Sequence, residues 1–112
     1  MKSKYNAQKV TVDGIKFDSR KEAARYKELK ALELVGKIDR LVLQPRFVLM
    51  EGFHYEGKAV RKIEYVADFL YRDLSTYELV VEDVKGVKTD VYKLKKKLFL
   101  KRYGNEYKFK EV

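Results

Sequence analysis

"YVADFLYRDLSTYELVVEDVKG", residues 65–86, is the stretch that decides the fold. Each half is rich in β-branched and aromatic residues, and a short turn at Leu74-Ser75 separates them. That pattern predicts two antiparallel strands. Side chains alternate faces along a strand. In the first half Tyr65, Ala67, Phe69 and Tyr71 then share one face, and Val66, Asp68 and Leu70 the other. In the second half Leu79, Val81, Asp83 and Lys85 point one way, and Val80, Glu82 and Val84 the other. The turn brings the even residues of the first strand onto the face of the odd residues of the second. Asp68 is therefore expected opposite or diagonal to Asp83, with Cβ atoms about 4.5–8 Å apart.

Upstream, "KVTVDGIKF" (9–17) alternates apolar and polar residues around Asp13-Gly14, a strong two-residue hairpin signal. "DSRKEAARYKELKALELVGK" (18–37) places Ala23, Tyr26, Leu29, Leu32 and Val35 at helical spacing. Ser19 stands at the N-cap with Glu22 three residues on, and Gly36 is placed for a left-handed cap. "IDRLVLQPRFVLM" (38–50) reads as extended with an interruption at Pro45, "EGFHYEGK" (51–58) as a turn-rich loop, and residues 60–73 as one strand. Downstream, Thr89 or Asp90 can cap a helix over "VYKLKKKLFLKRY" (91–103), with Val91, Leu94 and Leu98 facing the core and Gly104 closing it. "EYKFKEV" (106–112) alternates like a last strand. The order, a small hairpin, then helix, three strands, helix and strand, predicts an α/β sandwich: a mixed sheet with a helix on each face. Residues 1–8 read as a polar tail and residues 9–112 as a single domain.

The chain of 112 residues holds no cysteine, which excludes disulfides and thiolate metal sites. No apolar run approaches the ~18 residues of a membrane span, and the first residues lack the apolar core of a signal peptide. A soluble, cytoplasmic protein is expected. Net charge is +9, and the segment from Lys85 to Val112 has ten Lys or Arg against three acids, so it supplies +7 of it. Such a cluster favours a polyanionic partner, nucleic acid above all. On the second helix Lys93, Lys96 and Lys97 fall on one side and are the candidates for phosphate contact. Tyr92 and Tyr103 are expected to pack rather than stack on bases. His54, the only histidine, sits alone in a loop, which argues against zinc and against histidine acid–base chemistry.

Two carboxylates as close as Asp68 and Asp83 repel unless something positive lies between them. Hard divalent cations such as Mg²⁺ suit carboxylate oxygens and keep several waters. Lys85 beside the pair could hold an attacking water or offset charge building on a phosphate. Acid, acid and lysine next to a basic helix make phosphodiester hydrolysis the expected chemistry.

At these residues the chain resembles the PD-(D/E)XK nuclease superfamily, and within it the small phage-encoded PD-(D/E)XK endonuclease-like proteins. Those have F-x-S-x-x-E-A near the start and Y-x-x-D-F-x-Y…E-D-V-K-G later; here the stretches stand as "FDSRKEA" (17–23), "YVADFLY" (65–71) and "VEDVKG" (81–86). Fourteen residues separate Asp68 from Asp83, and Ala67 stands where the superfamily has its proline. The resemblance covers about residues 10–104 and implies a restriction-endonuclease-like α-β-β-β-α-β core. It also implies a metal-dependent DNA endonuclease with Glu22, Asp68, Asp83 and Lys85 as its site. Glu22, Asp68 and Asp83 would hold Mg²⁺, with Mn²⁺ as substitute. Branched or Holliday-junction DNA is the expected substrate, in the cytoplasm of a phage's host, with a homodimer presenting one site to each strand.

Each site residue also has a plainer role. Glu22 completes a capping box with Ser19. Asp68 could be an ion-pair partner of Lys85. Glu82, adjacent but on the other face, is expected to pair with a base or meet solvent. The rival functions are a non-catalytic nucleic-acid-binding protein of the same fold, and an adaptor in which the acids and lysine form only an ion network.

Overall fold

The computed structural model describes residues 9–112, so the expected polar tail at 1–8 lies outside the described residues. The described chain is mixed α/β. The first hairpin forms as expected, from β1 (Val10–Val12) and β2 (Ile15–Phe17), with Asp13 and Gly14 both at positive φ (54° and 76°). Such a pair of left-handed residues matches the twist of the strands it joins.

Helix α1 spans Arg20–Leu34 and is capped by Ser19, whose Oγ accepts the Glu22 N–H at 3.1 Å. At its other end the Lys37 N–H donates to Leu32 O and the Gly36 N–H to Glu33 O, with Gly36 at φ 79°. This is the Schellman closure that glycine makes cheaply. Val35 lies just past the last turn and is exposed, not part of the core face expected for it.

The middle of the chain breaks more often than its pattern suggests. β3 (Ile38–Leu43) and β4 (Arg46–Met50) are separate strands either side of Gln44-Pro45. The expected loop at 51–58 is instead a hairpin of β5 (Phe53–Tyr55) and β6 (Lys58–Val60). Its Glu56-Gly57 turn has two positive φ angles, like Asp13-Gly14, but glutamate is a weaker signal for that conformation. The single strand expected over 60–73 is two: β7 (Ile63–Val66), paired with β4, and β8 (Phe69–Asp73), paired with β3 and β9 (Leu79–Asp83). The chain bends at Asp68 between them.

Helix α2 (Asp90–Tyr103) is capped by Thr89, whose Oγ1 accepts the Tyr92 N–H. It returns the chain to β10 (Tyr107–Glu111), which runs parallel to β9 with Glu111 abreast of Asp83. The main sheet is thus β10-β9-β8-β3, antiparallel except for its β10–β9 pair. Helices cover its two faces. Tyr26 and Leu29 of α1 pack with Phe69, Tyr71 and Val80, while Tyr92 and Phe99 of α2 pack with Tyr65, Ala67 and Val81. The core face of α2 is therefore aromatic, and Val91, Leu94 and Leu98, expected inside, are exposed. Three large rings, Tyr92, Phe99 and Tyr103, fill the space the leucines were assigned.

Gly104 is the C-cap of α2, and nothing larger fits there: a Cβ would lie 2.4 Å from Leu100 O. Gly104→Ala should destabilise the protein by roughly 1–3 kcal/mol. Urea unfolding checks this, and an unchanged midpoint would refute it. Among the described residues, no helix is long and apolar enough to cross a membrane.

Candidate functional site

The bend at Asp68 is where two sheets part company. Its carbonyl accepts the Gln44 N–H at 2.9 Å, its own N–H donates to Glu82 O at 3.1 Å, and the Ala67 N–H donates to Pro45 O at 3.1 Å. Backbone held on both sides leaves the Asp68 side chain little choice of direction. Oδ2 accepts the Val84 N–H at 2.7 Å, which sets the carboxylate against the end of β9.

Asp83 ends β9 and is 1% exposed. Its Oδ2 accepts the Tyr65 hydroxyl. Its Oδ1 lies 3.1 Å from Lys85 Nζ, close enough for an ion pair but too poorly aligned for a hydrogen bond, and it is the buried side-chain oxygen left without a donor among the described residues. Lys85 also sits over the Tyr92 ring, 4.3 Å from its centroid, and the Lys85 carbonyl accepts from Lys21 Nζ at 3.2 Å. The ion-pair partner of Lys85 is thus Asp83 and not Asp68.

Electrostatics mark the two aspartates as one unit. Burial pushes the Asp68 carboxyl up to about 8, helped by the neighbouring carboxylate of Asp83 and its negative charge. The Val84 N–H pulls the other way. Glu22, 7% exposed, is also raised, first by burial, then by Asp18, with Asp83 adding to it. Burial and the bond to Asp83 hold the Tyr65 phenol well above its ordinary value, so it stays a donor. Glu22 and Asp68 line one small cleft of about 160 Å³, together with Ile15, Lys16, Phe17, Leu43 and Gln44. Glu22 therefore does serve the helix cap through its backbone N–H while its side chain borders the cleft.

This arrangement fits a hard cation on its own chemistry. Burial and the charge of Asp83 raise the proton affinity of Asp68, and Asp83 itself keeps one buried carboxylate oxygen without a donor among the described residues. A positive charge between them would relieve both costs. Among the described residues no three acidic, histidine or cysteine side chains converge into a ready metal cage. Two carboxylates with waters suffice for Mg²⁺, which seldom uses an all-protein cage.

Asp68 yields a pH prediction. Its carboxyl in the folded protein is raised from an ordinary 3.8 to about 8, so the folded state binds that proton more tightly than the unfolded chain. Stability from this group is complete below about pH 4 and is lost as pH rises toward 8. Asp68→Asn, in EDTA, should raise Tm at pH 8 by roughly 4–8 °C, the shift that ~1 kcal/mol gives a domain of this size. At pH 4 the two proteins should melt alike. A pH-independent difference, or a loss at pH 8, would refute the assignment.

Glu82 points to the opposite face, as its place in the strand predicts, but solvent does not reach it. Fully buried, it takes Arg25 Nε at 2.7 Å and Nη2 at 2.6 Å on its two oxygens, and the Tyr71 hydroxyl on one of them. The pairing joins α1 to β9 one residue from Asp83. Of the helix lysines, Lys93 and Lys97 are exposed, whereas Lys96 is tied to Glu111 at 2.5 Å and lies over Phe109. Tyr92 packs, and donates its hydroxyl to Glu111 at 2.9 Å. The supporting partners Tyr65, Arg25 and Tyr71 carry no motif; only the need of buried acids for donors points to them.

A family model described as "Protein of unknown function (DUF1064)" matches residues 2–111, and the chain belongs to that family. No curated protein and no solved structure matches it.

Proposed function

We propose that this DUF1064 chain is a metal-dependent DNA endonuclease of the PD-(D/E)XK type. The observation that carries the proposal is the pair Asp68 and Asp83: the half-buried Asp68 carboxyl is raised by burial and by its buried neighbour, and Asp83 Oδ1 has no hydrogen bond beside Lys85. Paired carboxylates of this kind cost stability and are retained where they serve a site. The order α1, β3, β8, β9, α2, β10 around the main sheet supports a restriction-endonuclease-like core, with the β1–β2 and β5–β6 hairpins and the β4–β7 pair as additions.

In this function Asp68 and Asp83 would hold the cation, with Glu22 on the cleft that Asp68 lines. When bound, Mg²⁺ or Mn²⁺ supplies positive charge against a phosphate oxygen and lowers the pKa of a water. Lys85, held between Asp83 and the Tyr92 ring, is placed to orient the attacking water and to offset charge on the phosphate. Tyr65 fixes the Asp83 carboxylate, and the Val84 N–H fixes that of Asp68. Exposed Lys93 and Lys97 on α2 offer positive charge for the DNA backbone. Branched DNA is the substrate we favour.

Cleavage of a four-way junction and a matched linear duplex, with Mg²⁺ or Mn²⁺ and with EDTA as control, tests the proposal. Metal-dependent strand scission is expected, strongest on the junction. Binding to both without scission under any metal would favour a non-catalytic nucleic-acid-binding protein instead.

A further inference from the structure

The cleft holds two polar groups that the carboxylate chemistry leaves unused, Lys16 on β2 and Gln44 between β3 and β4. A two-stranded hairpin alone is marginally stable in water, yet β1–β2 is fastened to α1. The Tyr26 hydroxyl donates to Asp13 Oδ2 at 3.0 Å, Phe17 packs on the Tyr26 ring at 5.0 Å, and Val10, Val12 and Ile15 join the α1-side core. Phe17 is buried and Ile15 half-buried, whereas Lys16 between them is exposed and is part of the same cleft as Glu22 and Asp68. Lys85, Lys88 and Lys96 are all paired with acids, whereas Lys16 has no carboxylate within salt-bridge reach among the described residues.

Gln44 faces the same cleft from the opposite strand junction, and its backbone stands at φ 51°. For glutamine this left-handed conformation is unfavourable, and glycine or asparagine would sit there more easily. Its N–H bonds the carbonyl of Asp68, so its backbone is held in fixed relation to that candidate ligand. A strained residue bonded to a candidate metal ligand and opening on the cleft is the kind of position that function maintains.

We propose that Lys16 and Gln44 form the substrate-holding wall of this cleft and grip the phosphodiester backbone beside Asp68. Lys16 neutralises a phosphate next to the one attacked, and the Gln44 amide donates to a phosphate or sugar oxygen. This assignment rests on the nuclease function but is read by binding. The wall holds substrate while the aspartates act on it.

The test is the affinity for a four-way junction in EDTA, across a range of salt, for wild type, Lys16→Ala, Lys16→Arg and Gln44→Gly. Lys16→Ala should bind roughly tenfold more weakly near 0.1 M salt and lower the salt slope by about 0.9, the loss of one phosphate contact. Lys16→Arg should restore both. Gln44→Gly should melt several degrees higher, because the strain is gone, and still bind more weakly, a combination that a merely structural residue does not give. Wild-type affinity and slope in Lys16→Ala would overturn the proposal, as would a wild-type protein that binds no DNA. If Gln44→Gly binds like wild type, Gln44 is removed from the wall. If Lys16→Ala weakens binding but the wild type cuts nothing with Mg²⁺ or Mn²⁺, the wall stands as a binding surface and the nuclease function falls.

Discussion

Asp83→Ala is expected to abolish cleavage, by about 10³-fold or more, while leaving junction binding within a few-fold of wild type. The magnitude follows from what the substitution removes. It deletes one of two carboxylates available to a cation and the charge partner of Lys85, so that cation placement and lysine position are lost together. Binding should survive because the groups proposed to meet phosphate, Lys93 and Lys97 among them, are elsewhere and exposed. Folding survives too: the side chain removed is a buried carboxylate with one unbonded oxygen, whose loss relieves its neighbour Asp68. The Tyr65 hydroxyl loses its acceptor, which offsets part of that gain. Single-turnover cleavage and an equilibrium binding assay on the same preparations check the split. Equal loss of both would place Asp83 in the scaffold.

Arg25→Ala is expected to be the most damaging change away from the site, at about 3–5 kcal/mol. Glu82 is fully buried and its charge is balanced by the two-point contact with Arg25. Without the guanidinium only the Tyr71 hydroxyl remains, and a neutral donor does not offset a buried negative charge. Arg25→Lys should recover little, since an ammonium cannot meet both carboxylate oxygens as the planar fork does. Because Glu82 precedes Asp83, the damage should spread to the site as a lower cation affinity. Denaturant midpoints measure the first effect. A cost under 1 kcal/mol would mean that water or Glu82 protonation replaces the arginine.

Sequence patterning made parts of this molecule legible for identifiable reasons. Asp13-Gly14, Ser19 and Gly36 occupy positions where backbone chemistry admits few residues, and each is found where its type predicts. The meeting of Asp68 with Asp83 was legible from strand alternation, although Asp68 arrives there by a bend rather than along a regular strand. That bend was hidden because Tyr65, Ala67, Phe69 and Tyr71 are all buried at a period of two. The first pair packs beneath α2 and the second beneath α1, and a periodic pattern carries no record of which layer it faces. The outward Leu94 and Leu98 were illegible for a related reason. Hydropathy ranks leucine above tyrosine, yet Tyr92 and Tyr103 bring rings that fill the space under α2 and hydroxyls that reach Glu111 and the Val48 carbonyl. Lys96 looked like its free neighbours until β10 brought Glu111 alongside, a contact fifteen residues away in the chain.

If Asp68 and Asp83 share a cation, as we propose, the most direct measurement is Tm at pH 8 against Mg²⁺ or Mn²⁺ concentration. A cation held by the folded site and not by the unfolded chain would stabilise the fold, so wild-type Tm should climb with the logarithm of metal concentration above the dissociation constant. Asp83→Asn should show a flat line from a higher metal-free starting point. A wild-type Tm indifferent to either metal, or an equal rise in Asp83→Asn, would contradict the claim and leave the carboxylate pair without a cation to explain it.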